Sequence, residues 1–248
     1  MMFEDIIYYK KIHLKLLKRA DRRLKVSYFI LLAVYIFSTM AISSYILKSN
    51  DPRSIRLVFF GLSCVTAFFL ILNQLSDEQA YGLRIKPEKI KPFPISLNRH
   101  HLIASADHLS GRYSMISLLS AIFVGVAASN GNPIATITTT ILFISFLLMV
   151  IQFSLLIYYL LYKYISQIAP FIFPSFAIAF SASGIIQDRI TNTVDPAYPI
   201  VGWVGNGAAH INEGEFIHFA IYLFIFLLLS LIIWKINIAV LKRMEPQN

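Results

Sequence analysis

Six histidines, thirteen acidic residues and one cysteine are the groups from which this 248-residue chain could build a reactive or metal-binding centre. His100, His101 and His108 gather with Asp107 in one polar stretch. On a helix, His101 and His108 are about two turns apart, so they share a face without touching. Metal ligands must converge on one point. This set therefore reads as an exposed or partner-facing helix rather than a metal centre. Further on, His210 and His218 enclose Glu213 and Glu215. They could bind a metal or titrate, and a wet loop explains them equally well. No metal site is assigned. Cys64 stands alone, which excludes an internal disulfide and a cysteine-based metal site. Within its apolar run it reads as a small packing residue.

Other chemistry is absent from the sequence. No Gly-x-x-x-x-Gly-Lys-Ser/Thr loop occurs, so the chain cannot cradle ATP in that manner by itself. Gly202, Gly205 and Gly207 resemble a dinucleotide fingerprint only in spacing, and no strand–turn–helix surrounds them. No nucleophile elbow, paired catalytic carboxylates or His-Glu-x-x-His pattern appears. No catalytic residue is assigned, and the chain is not expected to be an enzyme. The apolar runs also lack an Asp, Glu or His near their centres. Proton-coupled carriers need such a group, so ion-coupled transport is disfavoured. Gln152 is the most central strongly polar residue. It, Asn73, Gln74 and Asn237 read as helix–helix hydrogen-bonding residues. Thr136, Thr138, Thr139 and Thr140 can bond their own helix backbone. Ser175, Ala179 and Ser183 recur every fourth residue, a spacing that lets helix backbones approach closely.

The elements that position these residues follow from composition. Hydrophobic residues make up 57% of the chain and charged residues 14%. Soluble domains hold about 45–50% and about 25%, so the reading is a single all-α transmembrane domain over residues 1–248. A formal charge of +9 could suggest nucleic acid. The cations lie beside apolar runs, however, where membrane orientation explains them, and no nucleic-acid partner is expected. Residues 1–25 carry an apolar stripe of Phe3, Ile7, Leu14, Leu17 and Leu24 among eight cations. That pattern predicts a basic amphipathic helix lying in the lipid headgroup region. The start of the chain lacks the order of a signal peptide.

Six apolar runs follow, near 26–47, 55–73, 113–129, 134–162, 169–187 and 216–236. A membrane span needs roughly 17–25 mostly apolar residues, and the fourth run is long enough to tilt or protrude. Asn132 and Pro133 mark its start as cap and first-turn residue. With both termini inside, eighteen Lys and Arg lie on the inner side and four on the outer, a strong positive-inside bias. The segment 75–111 is then cytosolic, and 188–215 forms the outer connection. Tyr198 to Val204 in that connection reads either as a short segment dipping into the interface or as a Gly/Pro-rich surface loop. The expected location is the cell membrane, multi-pass, with cytoplasmic termini and lipid contact throughout.

The cytosolic segment contains Lys91-Pro92-Phe93-Pro94-Ile95-Ser96-Leu97-Asn98-Arg99. A residue before Pro is pushed out of the helical region, so the chain runs extended there. Ser96 or Asn98 can then cap a short helix through His100, His101, Leu102 and Ile103. Such a helix leads into the third span as a mechanical link. Together with the basic N-terminal helix, two spans before it and four after it, the Pro94-Ile95-Ser96-x-x-Arg99 run resembles the coupling segment of permease subunits of type-2 ABC exporters. The topology match covers nearly the whole chain; the motif itself is short.

The resemblance implies a permease that forms the substrate path as a homodimer or with a paired permease. A separate cytosolic ABC ATPase would hold ATP and Mg2+, and this chain would bind no cofactor. Phe93, Pro94, Ile95, Ser96 and Arg99 would carry the coupling, with Leu102 and Ile103 as ATPase-facing anchors. His100 and His101 depart from the residues usual there. Phe59, Phe60, Phe68, Phe171, Phe173 and Phe176 are candidates to line the path, although phenylalanine in a span more commonly faces lipid. The alternative readings are a non-ABC secondary carrier, a scaffold whose basic loop binds another cytosolic partner, and an intramembrane enzyme.

Overall fold

A computed structural model describes residues 52–80, 96–109, 111–161 and 201–244. Among the described residues all regular structure is helical, in six helices. They are α1 (Pro52–Ala80), α2 (Leu97–Leu109), α3 (Arg112–Ala128), α4 (Pro133–Leu161), α5 (Val201–Asn212) and α6 (Phe216–Met244). The expected interfacial helix, the first and fifth spans, and most of the loop before α2 lie outside the described residues.

Helix α4 is the axis of the bundle. It touches each of the other five. Its buried residues include Leu142, Phe143, Phe146, Leu147, Ile151 and Leu155. A sequence dominated by Ile, Leu and Phe, with few polar residues between them, suits such a position, because a helix apolar all round has to be covered all round or sit in lipid. It begins as the sequence predicts. Asn132 Oδ1 accepts from the backbone N–H of Ile134 at 3.0 Å and of Ala135 at 3.4 Å. The Thr136, Thr138 and Thr140 hydroxyls donate to the carbonyls four residues back, at 2.7–2.9 Å. Helix α6 is the opposite case. Its long apolar sequence leaves Ile217, Phe224, Leu231 and Ile232 exposed, a surface suited to lipid or to another helix. Its last turn carries Lys242 and Arg243, cations that complement the negative end of the helix dipole.

Among the described residues, three helices are long and apolar enough to cross a membrane: Arg53–Ile71 within α1, all of α4, and Phe216–Arg243 within α6. At about 1.5 Å per residue, the 29 residues of α4 reach well beyond a hydrocarbon core of about 30 Å. The apolar part of α3, Tyr113–Ala128, is shorter than the other three. The structure also shifts two boundaries. Helix α1 continues to Ala80, so residues 75–80 are helix rather than the start of a loop. The connection expected outside, 188–215, contains the regular helix α5, with Val204, Ala208, Ala209 and Ile211 buried. Residues 201–212 are thus helix rather than loop; Tyr198 lies outside the described residues.

Helix α5 packs tightly against α1. A Cβ on Gly205 would collide with the backbone carbonyl of Arg56. Glycine is required here because two backbones meet with no room for a side chain.

Candidate functional site

The polar stretch ahead of α3 folds into α2. Ser96 caps it: the Arg99 N–H reaches Ser96 Oγ at 3.4 Å, as the sequence suggests. The helix then has two faces. Leu97, Ala104 and Leu109 pack on the hydrophobic core, and His101 and Ser105 are buried on the same side. Ser96, Asn98 and Arg99 are exposed, while Leu102 and Ile103 are half-buried.

His101 overturns the expectation of an exposed or partner-facing histidine. It has no solvent exposure, and both ring nitrogens are engaged. Nε2 lies 2.7 Å from Gln152 Oε1, and Nδ1 lies 3.2 Å from the Tyr159 hydroxyl. An amide oxygen can only accept, so Nε2 carries the proton and Nδ1 accepts from Tyr159. Gln152 Nε2 donates to Ser105 Oγ at 3.0 Å, and that hydroxyl donates to the His101 carbonyl at 2.8 Å. From α6, Asn237 Nδ2 donates to the Gln152 backbone carbonyl at 2.9 Å and to Gln152 Oε1 at 3.3 Å. Trp234 on α6 closes the site with an edge-on contact to the His101 ring, 4.9 Å between centroids.

The result is a buried polar lock joining α2, α4 and α6. Burial holds the His101 pKa below its ordinary value of 6.5; the Gln152 hydrogen bond opposes this more weakly. The ring is therefore neutral at pH 7, as the proton assignment requires. Every polar atom of Gln152 and His101 has a partner, and a satisfied buried network specifies one arrangement of its helices. Asn237 Oδ1 is the exception, buried without a hydrogen-bond partner.

The chemistry open to this site is mechanical. It holds a neutral imidazole away from water between three helices. Displacing α2 strains contacts to two long helices at once. Sequence reasoning placed Gln152 and Asn237 correctly as helix–helix hydrogen-bonding residues, and missed that His101 is the partner of Gln152. The available signal was the His101–Ser105 spacing of one helical turn, on the side of α2 that also carries Leu97, Ala104 and Leu109.

The remaining residues read from the sequence are dispersed. Phe93, Pro94 and Ile95 lie outside the described residues, as do Phe171, Phe173 and Phe176. Phe59 is fully buried in the core cluster, which makes it a packing residue of α1. Phe60 and Phe68 are half-buried on the same helix, and Phe68 meets Phe69 with ring centroids 5.5 Å apart. Cys64 is a half-buried free thiol. Comparison with known proteins returned no matching family model, curated protein or solved structure.

Proposed function

We propose that the chain is the permease subunit of an ATP-driven exporter of the type-2 ABC kind, with α2 as its coupling helix. The observation that carries this reading is the division of α2 into a locked face and a free face. His101 and Ser105 tie it to the centre of the helical bundle, while Ser96, Asn98 and Arg99 stand in the open. A short helix gripped on one side by buried hydrogen bonds transmits a push applied to the other. Hydrolysis takes place on a separate cytosolic ATPase, which holds ATP and Mg2+. The permease forms the path as a dimer or with a paired permease. The outward apolar face of α6, with Phe224, Leu228 and Leu231 exposed, suits lipid or that second copy. The positive-inside count places α2 on the cytosolic side, where such an ATPase works.

The test is reconstitution of the full chain in liposomes with the ATPase that co-purifies with it in mild detergent. Arg99→Glu is expected to weaken ATPase association and transport-linked hydrolysis while membrane insertion is unchanged. Unaltered coupling in that variant, or transport driven by an ion gradient with no ATPase present, refutes the reading.

A further inference from the structure

The turn between α5 and α6 carries a second group of chemistry-bearing side chains, unrelated to the α2 lock. The order is His210-Ile211-Asn212-Glu213-Gly214-Glu215-Phe216-Ile217-His218, a His-x-x-Glu pair followed by its mirror image. Helix α5 ends in a doubly hydrogen-bonded reversal. The Gly214 N–H bonds the Ile211 carbonyl at 3.2 Å, and the Glu215 N–H bonds the His210 carbonyl at 2.8 Å. This is the Schellman arrangement, which needs a left-handed residue just past the helix end. Gly214 supplies it with φ +83°. The 2.8 Å bond pins Glu215 beside His210, and one turn into α6 His218 comes round to the same place.

The side chains converge. Glu215 Oε2 lies 2.8 Å from His210 Nδ1 and 3.1 Å from His218 Nδ1, and Glu213 Oε2 lies 3.5 Å from His210 Nδ1. The two imidazoles are stacked with centroids 4.5 Å apart, and Tyr222 backs the His210 ring at 6.4 Å. His210 Nδ1 is shielded from solvent, and no well-directed hydrogen bond serves it despite the nearby carboxylate. The ligand atoms of His210, Glu215 and His218 all lie within 4.8 Å of one another, so a single divalent ion among them can engage both imidazoles and the carboxylate at once. Bonds of about 2.0–2.2 Å to nitrogen and oxygen separate neighbouring ligand atoms by about 2.8–3.6 Å in four- to six-coordinate geometry. The His210–Glu215, His218–Glu215 and His210–Glu213 distances fall in that interval.

We propose that His210, Glu215 and His218 form a binding site for a divalent transition metal of the zinc class, with Glu213 close by, 3.5 Å from His210 Nδ1. Two imidazoles and a carboxylate select zinc and its neighbours over magnesium or calcium, which prefer oxygen ligands alone. This departs from the sequence expectation of no metal site, and it stands independently of the exporter reading. Bound metal clamps the end of α5 to the start of α6 and fixes the turn.

The test uses the full chain purified in detergent on an affinity tag without histidine and stripped with chelator. Zn2+ is titrated by calorimetry, and Co2+ is followed by its visible absorption as a second probe. One Zn2+ per chain at about 1 μM or tighter is expected. His210→Ala and His218→Ala should each weaken binding at least about tenfold, while His100→Ala leaves it unchanged. His218 is more than half exposed at its side chain, so its replacement leaves the fold intact, as helix content by circular dichroism will verify. Failure of the stripped wild-type chain to take up Zn2+ at about 100 μM overturns the proposal. So does unchanged stoichiometry and affinity in the His210→Ala/His218→Ala double variant.

Discussion

Replacing Gln152 with leucine tests whether the buried lock holds α2 to the bundle. The substitution roughly keeps the side-chain volume and removes three interactions: the acceptor 2.7 Å from His101 Nε2, the same oxygen's longer bond from Asn237 Nδ2 at 3.3 Å, and the donor 3.0 Å from Ser105 Oγ. Asn237 retains the backbone carbonyl of residue 152, and Ser105 retains the His101 carbonyl. The main loss is a stranded, fully buried imidazole N–H, which costs about 1–3 kcal/mol. Direct hydrogen bonds between helices in a membrane protein average only about 0.6 kcal/mol and reach about 1.7. A short bond with no solvent access belongs at the upper end of that range, so Gln152→Leu is expected to destabilise by about 2 kcal/mol. His101→Leu strands the Tyr159 hydroxyl instead. Combining the two leucines removes the stranded N–H, and the Tyr159 term is common to both arms of the cycle and cancels. The double variant should therefore be less destabilised than the sum of the singles by about 1–2 kcal/mol. The assay is reversible unfolding in mixed detergent micelles, following helix content for all four proteins. Additivity within about 0.3–0.5 kcal/mol would falsify the lock.

Two further outcomes are expected. Because burial lowers the His101 pKa below 6.5, the unfolded chain binds its proton more readily than the folded one. The contribution of His101 is complete above about pH 6.5 and is lost as pH falls from there toward the lower folded value. The stability difference between wild type and His101→Gln should thus shrink on acidification between pH 8 and 5; a constant difference contradicts the neutral, buried imidazole. The second concerns the contact of α5 with α1. Gly205→Ala drives a methyl group into the Arg56 carbonyl and should cost about 1–3 kcal/mol. Gly61→Ala meets nothing within 4 Å among the described residues and should be neutral or stabilising by up to about 1 kcal/mol. Equal effects of the two substitutions in thermal unfolding would remove the close approach.

Much of the local structure could be read along the chain because its causes are local. Asn132 caps α4 since its side chain and the free N–H groups lie within three residues. Ser96 caps α2 for the same reason. The long α4 and α6 follow from long, mostly apolar runs. Where helices stop against neighbours was less legible: α1 continues through polar residues to Ala80, and α5 arises inside a segment rich in Gly.

The sequence by itself determined the helical class, the apolar runs and the presence of polar residues in conspicuous places. Only the tertiary structure decided which of those residues meet. His101 and Gln152 are 51 residues apart, and Asn237 is a further 85 along the chain. No periodicity encodes a contact across such distances, because pairing depends on how helices cross once their apolar faces are buried. The same holds for Gly205: its glycine is visible in the sequence, but the Arg56 carbonyl that makes it necessary is brought there only by packing.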